Sequence, residues 1–329
     1  MSRAWCSLFM VNGALGALLP IFFMHGINDN HQEFDSMQKW IQGIDPSVTL
    51  YSLPVCDDGS SYANLWDQGQ QVIDGIRHQI ALAPEVFKDG YTLVAHSQGA
   101  LTARTAVQRM DDHNVHTLIC LAGPQLGEFG IPDISSDNAL FQDLAAAGRD
   151  SVYTLVFTGL LRSEFQESLS VANYWSDPRP SAGLFDIGKP RADYLSGNTF
   201  LPVLNSEPER GTQGPGLPVD ASEAARYKGN FLRLRRAVFT AGTADEMIIP
   251  WNSGVWEFFE ETGTSTVPLN ETSLWLDDWV GLRELHETGR LVREVGEGVA
   301  HNMWAHDRGV FDSFVAPHLP SHGDISLIV

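Results

Sequence analysis

The chain has 329 residues, with 21 Lys and Arg against 41 Asp and Glu, so its formal net charge at pH 7 is −20. Apolar residues make up 43 % of the chain and charged residues 19 %, which excludes a disordered polypeptide because such chains lack core-forming side chains. No cluster of Lys and Arg occurs, which argues against a nucleic-acid partner, since phosphate backbones are held by clustered cations. The three cysteines, Cys6, Cys56 and Cys120, are too few for a disulfide scaffold.

The first part of the chain is a nearly continuous apolar segment over residues 5–24, preceded by Arg3. Glycines interrupt it, and Ala14-Leu15-Gly16 offers small residues at the spacing that a signal peptidase recognises. These features predict a signal peptide over residues 1–16 and a secretory route. The acidic composition fits an acidic, lysosome-like lumen, so the mature protein is expected to be lysosomal or secreted. The sequon that begins at Asn270 fits that route. The alternative is an ordinary leader into the first strand of a cytosolic protein.

Short apolar runs alternate with segments of helical periodicity along most of the chain. The predicted strands cover residues 19–24, 48–53, 91–95, 115–122, 236–241 and 291–295, and helices are predicted over 65–82 and 98–110. This alternation is typical of an α/β fold, with a mostly parallel sheet and helices on both faces. Residues 124–228 are rich in Pro, Gly, Ser and aromatic residues. We interpret them as a cap-like insertion in a single domain over residues 17–329.

Ser97 is the predicted nucleophile. The apolar strand that ends at Ala95 leads into His96-Ser97-Gln98-Gly99, and a helix of small residues follows. Such a strand–turn–helix junction holds a serine at a strained position, with its hydroxyl above the strand end and near a helix N-terminus. Ala95 stands where the usual pattern has a glycine. The alternative is that Ser97 only caps the helix.

A serine hydroxyl needs a base, and the base needs a carboxylate to orient it. Asp245 follows the strand over residues 236–241, so it lies beyond the carboxyl end, where α/β sheets keep their sites. Glu246 is its rival. His301 follows the last predicted strand and is the predicted base, whereas His306 is interpreted as a surface or helix-packing residue.

The oxyanion of a tetrahedral intermediate needs two oriented N–H donors. We expect the backbone N–H of Gln98 to be one of them and that of Ile27, in the loop after the first strand, to be the other. Gly26 allows the backbone of this loop to approach closely. His25 is expected to fix the loop and His96 to line the site.

The sequence resembles the palmitoyl-protein thioesterase family of the α/β-hydrolase superfamily from about Pro20 to Leu319. The resemblance depends on an ordered set of motifs, several of them in the insertion, where they have no general hydrolase meaning. These are His25-Gly-Ile-Asn-Asp29, His96-Ser-Gln-Gly99, Ala122-Gly-Pro-Gln-Leu-Gly127, Tyr174-Trp-Ser-Asp-Pro178, Leu204-Asn-Ser-Glu207, Tyr227-Lys-Gly-Asn-Phe231, Asp245 through Pro250-Trp251, and Pro268-Leu-Asn-Glu-Thr272. The family's catalytic serine, aspartate and histidine fall on Ser97, Asp245 and His301, and its oxyanion donors on Ile27 and Gln98.

The resemblance implies a thioesterase that forms an acyl-enzyme and hydrolyses long-chain fatty acyl thioesters. The acyl acceptor, a protein cysteine or coenzyme A, stays open, as does the choice between the two subgroups of the family. Aromatic residues of the insertion are candidates for an acyl groove, and ordinary packing of the insertion is the alternative for each. These candidates are Phe129, Tyr174, Trp175 and Phe200, with His25, Gly26 and His96 on the loops beside the nucleophile.

No metal or organic cofactor is expected, because the spacing of His301, His306 and Asp307 provides no convincing third ligand. No later segment has the roughly 18 apolar residues of a membrane span, so we expect a soluble protein that touches membrane lipid only transiently. Two other functions remain open. A lipase or carboxylesterase would share the site but cleave oxygen esters, and a non-catalytic lipid-binding protein would keep only the fold.

Overall fold

The computed structural model describes residues 17–129, 151–152, 155–156, 159–178, 190–207, 220–260 and 265–325. The predicted signal peptide over residues 1–16 lies outside this part of the chain, as do several stretches of the predicted insertion.

A six-stranded parallel sheet forms the centre of the molecule, with the strand order β2-β1-β3-β4-β5-β8. Its strands are β1 Ile21–Met24, β2 Leu50–Ser52, β3 Tyr91–His96, β4 Val115–Leu121, β5 Arg236–Gly242 and β8 Leu291–Gly296. All six predicted strands are present, and each end lies within two residues of its predicted position. A separate antiparallel pair consists of β6 Phe258–Phe259 and β7 Thr266–Val267.

Helices surround this sheet. The α-helices of the described residues are α1 Asp35–Ile44, α2 Leu65–Leu82, α3 Pro84–Phe87, α4 Gln98–Arg109, α5 Arg162–Ser168, α6 Ser170–Tyr174, α7 Pro190–Gly197, α8 Leu201–Leu204, α9 Ala221–Phe231, α10 Ser273–Leu276, α11 Leu282–Glu287, α12 Met303–His306, α13 Arg308–Phe314 and α14 His322–Ile325. The predictions for α2 and α4 are confirmed. Short 3₁₀ turns cover Asp58–Tyr62, Trp251–Val255, Leu269–Glu271 and Ala316–His318.

The inner strands of the central sheet, β1, β3, β4 and β5, are buried on both faces, whereas the edge strands β2 and β8 are partly exposed. Alternate side chains of β1 enter different core clusters, Phe22 and Met24 on one face and Ile21 and Phe23 on the other. Helices α2, α4 and α11 contribute to the first cluster, and α1, α12 and α13 to the second. The predicted α/β class, with helices on both faces of a parallel sheet, is therefore confirmed.

Helix α2 illustrates how the sequence builds these layers. Asn64 caps it by accepting a hydrogen bond from the N–H of Trp66 at 2.8 Å. Val72, Ile73 and Ile76 recur at helical spacing and are buried against the sheet. Burial of each such side chain stabilises the fold by roughly 1.5–3 kcal/mol.

The connection between β4 and β5 contains the predicted insertion. Its described residues form a third apolar cluster, which also includes Leu65 of α2 and Leu101 of α4 and is contacted by Ile27 in the loop after β1. Within the described part of the chain, no helix has the length and apolar character needed to cross a bilayer.

The two cysteines of the described residues, Cys56 and Cys120, are buried free thiols and form no disulfide. Burial raises the pKa of each thiol to about 12. Both are therefore neutral and pack as small apolar groups.

Candidate active site

Three predicted site residues follow the carboxyl ends of strands in the parallel sheet. Ser97 comes directly after β3, Asp245 lies in the loop after β5, and His301 lies in the loop after β8. Because the carboxyl ends of parallel strands share one edge of the sheet, the fold brings these distant residues together.

The Ser97 backbone has φ 53°, a conformation that non-glycine residues adopt rarely. Although Ser97 precedes α4, its side chain makes no capping hydrogen bond. Its Oγ instead lies 2.9 Å from Nε2 of His301. The alternative in which Ser97 only caps the helix is therefore wrong.

Two close contacts, one with backbone and one with the Ser97 side chain, explain the glycines around Ser97. A Cβ on Gly99 would lie 2.2 Å from the carbonyl oxygen of His25, and a Cβ on Gly26 would lie 3.0 Å from Cβ of Ser97. These glycines let the first turn of α4 and the loop after β1 approach the serine. At Ala95, by contrast, the methyl group is accommodated in the core.

The His301 ring is held between the serine and Asp245. Its Nδ1 lies 2.8 Å from Oδ2 of Asp245, whose side chain is only 1 % exposed. Since an ionised carboxylate can only accept, Nδ1 donates, and the neutral ring presents an unprotonated Nε2 to the Ser97 hydroxyl. The other oxygen of Asp245 accepts hydrogen bonds from the N–H groups of Met247 and Ile248, both at 2.9 Å.

Glu246 contacts His301 through the backbone. Its Oε2 accepts a hydrogen bond from the His301 N–H at 3.4 Å. Of the two adjacent acids, Asp245 therefore contacts the imidazole ring of His301, and Glu246 contacts its main chain.

The two predicted oxyanion donors lie on either side of Ser97. Gln98 is the first residue of α4, so its N–H has no acceptor within the helix. Ile27 adjoins Gly26, where an added Cβ would lie only 3.0 Å from Cβ of Ser97. Neither N–H donates a hydrogen bond to another residue in the described ranges. The Gln98 side chain donates to the carbonyl oxygen of Ser61 at 2.8 Å.

His25 holds the loop after β1. Its Nδ1 lies 2.8 Å from the carbonyl oxygen of Gly26, and its Nε2 lies 2.9 Å from that of Val55 and 3.1 Å from Oδ1 of Asp57. Both nitrogens of the buried ring thus have partners within the protein, as expected for a residue that fixes the loop.

His96 pairs with Glu33, a residue that sequence reasoning missed. His96 Nδ1 lies 2.5 Å from Glu33 Oε1, and its Nε2 lies 3.0 Å from the carbonyl oxygen of His301. Burial opposes the charged forms, but the mutual charge and hydrogen bond outweigh it and raise the pKa of His96 while lowering that of Glu33. No sequence signal identifies Glu33, because it lies 63 residues from His96 and only the fold brings the two together.

The four aromatic candidates for an acyl groove belong to the third apolar cluster. Phe129, Tyr174, Trp175 and Phe200 are at most 3 % exposed. Phe200 packs on Trp66, with ring centroids 4.6 Å apart. The structure brings the four together and gives each a packing role, and their contact with an acyl chain stays a prediction.

The side chains that could ligate a metal are a different group from His301, His306 and Asp307, which the sequence suggested, and only His306 belongs to both. Of the described residues, Asp29, Glu33 and His306 have ligand atoms within 4.8 Å of one another. Both oxygens of Glu33 already accept hydrogen bonds, from His96 and from the N–H of Gly26. We therefore assign no metal to this group. Asp307 caps α13 by accepting from the N–H of Val310 at 2.9 Å.

Comparison with known proteins places these motifs in one family. The family described as palmitoyl protein thioesterase matches residues 20–301. Lysosomal thioesterase PPT2 homolog of Drosophila melanogaster is 29 % identical over 304 residues, covering 92 % of this chain and 92 % of the relative. Palmitoyl-protein thioesterase 3 of Dictyostelium discoideum is 29 % identical over 279 residues, covering 84 % and 83 %.

Among solved structures, the peroxisomal α/β-hydrolase Lpx1 of Saccharomyces cerevisiae is 12 % identical, covering 91 % of this chain and 76 % of its own, with a TM-score of 0.46. The parallel sheet with a serine at the turn from β3 into α4 is the architecture of α/β-hydrolases. Together with the match over residues 20–301, it establishes that the chain belongs to the palmitoyl protein thioesterase family.

Proposed function

We propose that this thioesterase hydrolyses long-chain fatty acyl thioesters, with Ser97 as nucleophile, His301 as general base and Asp245 as the carboxylate that orients it. The observation that carries the proposal is the continuous chain of contacts from Ser97 Oγ to His301 Nε2 at 2.9 Å and from His301 Nδ1 to Asp245 Oδ2 at 2.8 Å. A strained serine backbone and two available N–H donors support it.

The first half of the reaction forms an acyl-enzyme. His301 removes the proton from Ser97 Oγ as the oxygen attacks the thioester carbonyl. The N–H groups of Ile27 and Gln98 stabilise the oxyanion of the tetrahedral intermediate. The C–S bond then breaks, and the leaving thiolate takes the proton from His301.

Water completes the reaction. His301 accepts a proton from the water as it attacks the acyl-enzyme, and returns that proton to Ser97 Oγ when the fatty acid leaves. Asp245 keeps Nδ1 protonated and stabilises the imidazolium that forms in each half. This scheme needs neither a metal nor an organic cofactor.

The proposed substrate follows from the family and from the apolar cluster beside the site. Two relatives are named palmitoyl-protein thioesterase 3 and palmitoyl-protein thioesterase 1, and palmitoyl is a C16 acyl group. Ile27, the proposed oxyanion donor, packs against the third apolar cluster. An alkyl chain that runs from Ser97 over this cluster would be shielded from water.

We propose that the mature protein works in the lysosome after residues 1–16 are removed as a signal peptide. The curated relatives named lysosomal thioesterase PPT2 support this location. N-terminal sequencing of protein recovered from the expressing cells tests the cleavage. A retained Met1 would contradict it.

The test of the proposed activity compares a palmitoyl thioester with its matched oxygen ester at about pH 5 and about pH 7. We expect the purified protein to favour the thioester, the Ser97→Ala variant to lose turnover, and Ser47→Ala, a change at an exposed serine, to keep it. Preference for the oxygen ester would make the protein a lipase or carboxylesterase. Absence of turnover, with no labelling by a serine-directed phosphonate, would favour a non-catalytic lipid-binding protein.

A further inference from the structure

A second histidine–carboxylate pair lies buried beside the proposed base, and the reaction above does not use it. Side chains of His96 and Glu33 are 5 % and 3 % exposed. The His96 ring lies against that of His301, with centroids 4.7 Å apart and planes tilted by 39°. The pair is thus an internal feature of the site.

The hydrogen-bond partners of His96 determine its protonation. Nδ1 faces Glu33 Oε1 at 2.5 Å, and Nε2 faces the carbonyl oxygen of His301 at 3.0 Å. A carbonyl oxygen and an ionised carboxylate can only accept, so both ring nitrogens must donate. Glu33 is held in its ionised form by a second donor, the N–H of Gly26, at 3.2 Å from Oε2. His96 is therefore an imidazolium paired with a carboxylate.

We propose that Glu33 and His96 are positioning residues for His301, which fix its backbone carbonyl and hold a positive charge beside its ring, so that His301 stays available as a base in acidic solution. The proposal depends on the proposed function, because it assigns this role within the Ser97–His301 chemistry. Like charges at short distance repel, so an imidazolium at His96 disfavours a second one at His301 in the free enzyme.

The other charged groups around the pair are the same in the unaltered protein and in a variant at Glu33, so they do not enter a comparison of the two. Asp245 bonds to Nδ1 of the His301 ring, and Glu246 contacts the backbone N–H of His301. Glu33 lies on the far side of the His96 ring, bonded to Nδ1 while Nε2 faces the His301 backbone. The remaining titratable neighbours, His25, Asp29 and His306, surround Glu33.

The variant Glu33→Gln tests the charge. The substitution keeps the size of the side chain but removes the anion that stabilises the His96 imidazolium. We expect kcat/KM for a palmitoyl thioester to fall by about fivefold or more at pH 5 and to stay within about twofold at pH 7.5, which moves the acid limb of the profile to higher pH. The matched control is Glu294→Gln, which makes the same change in a second histidine–glutamate pair. In that pair, Oε2 of Glu294 on β8 lies 3.0 Å from Nε2 of His318 in the 3₁₀ turn Ala316–His318. This control should leave the profile unchanged.

A second measurement does not depend on activity or on folding of the variant. In ¹⁵N-histidine spectra of the unaltered protein at pH 7, both ring nitrogens of His96 should carry protons. A neutral His96 would overturn the proposal even if Glu33→Gln failed to fold.

The outcomes separate this proposal from the proposed function. Failure of the unaltered protein to cleave the thioester would remove the proposed function itself. Turnover that depends on Ser97, with superimposable pH profiles for the unaltered protein and Glu33→Gln, would leave that function intact and overturn the positioning role. A uniform loss at all pH values would also overturn the charge argument, because a purely structural defect has no pH signature.

Discussion

Asp245 and Glu246 are adjacent in sequence, yet their carboxylates bond to different parts of His301. Asp245 reaches the ring, whereas Glu246 accepts from the backbone N–H. Loss of the ring contact would leave His301 in the wrong tautomer. We therefore expect Asp245→Asn to lower kcat by about 10³- to 10⁴-fold and Glu246→Gln to lower it by less than about tenfold.

Steady-state kinetics on both variants, with circular dichroism to verify folding, tests this assignment. Equal losses from the two substitutions, or a larger loss at Glu246, would show that the wrong carboxylate has been assigned.

The site residues that could be predicted from the sequence are those located just after the end of a strand. Ser97, Asp245 and His301 could be placed because each follows a recognisable apolar run, and the parallel sheet aligns those ends. Glu33 could not, because a polar residue in a loop gives no sign of burial until its partner is known. Nor could the aromatic residues of the insertion be divided between packing and substrate contact, since both roles favour the same side chains.

The turn from β3 into α4 is the element that positions the nucleophile, and its packing depends on Gly99. A methyl group there would lie 2.2 Å from the His25 carbonyl oxygen and 2.7 Å from that of Met24. Backbone atoms cannot move aside as a flexible side chain can. We expect Gly99→Ala to lower the free energy of unfolding by about 2–3 kcal/mol and to reduce turnover, because the oxyanion loop would be displaced.

Gly229, within α9, is the matched control. A Cβ at this position would meet no atom within 4 Å apart from its chain neighbours and the backbone of its own helix. Alanine favours the helix, so Gly229→Ala should raise the free energy of unfolding by about 0.5–1 kcal/mol. Urea unfolding of the two variants measures both effects. A Gly99→Ala protein as stable as the unaltered one would contradict the packing argument.

Helices and strands could be predicted from the sequence where one hydrophobic periodicity dominated. The six strands of the central sheet are short, apolar and bounded by turn residues, so their positions could be read directly. The insertion has no such periodicity, and its short helices form around aromatic and polar contacts that no local pattern specifies. Helix α6 is an example, since its Asn173 accepts a hydrogen bond from the N–H of Leu65, 108 residues earlier in the chain.

For the molecule as a whole, one buried acid makes stability depend on pH. Burial, reinforced by the charge of Asp245, raises the pKa of Glu128 well above its ordinary value of 4.5. The unfolded chain therefore loses this proton first as the pH rises. The contribution of Glu128 to the free energy of unfolding should be greatest below about pH 4.5. Above that pH it should fall by up to about 1.4 kcal/mol per pH unit, until Glu128 ionises in the folded protein as well.

Glu128→Gln removes this dependence. We expect the variant to gain stability relative to the unaltered protein as the pH rises from about 4.5 to about 7, measured by urea unfolding at several pH values. Glu85→Gln is the control, because it removes the same charge from a side chain that is 85 % exposed. A stability difference for Glu128→Gln that does not change with pH would contradict a neutral, buried carboxyl.

In the proposed reaction, Ser97 carries the acyl group during turnover. Mixing the protein with a palmitoyl thioester, quenching in acid within the first turnover and mapping the products by mass spectrometry tests it directly. We expect the added mass of one palmitoyl group on the peptide that contains Ser97, and no added mass in Ser97→Ala. Thioester hydrolysis with no acylated peptide, or with the acyl group on another residue, would contradict it.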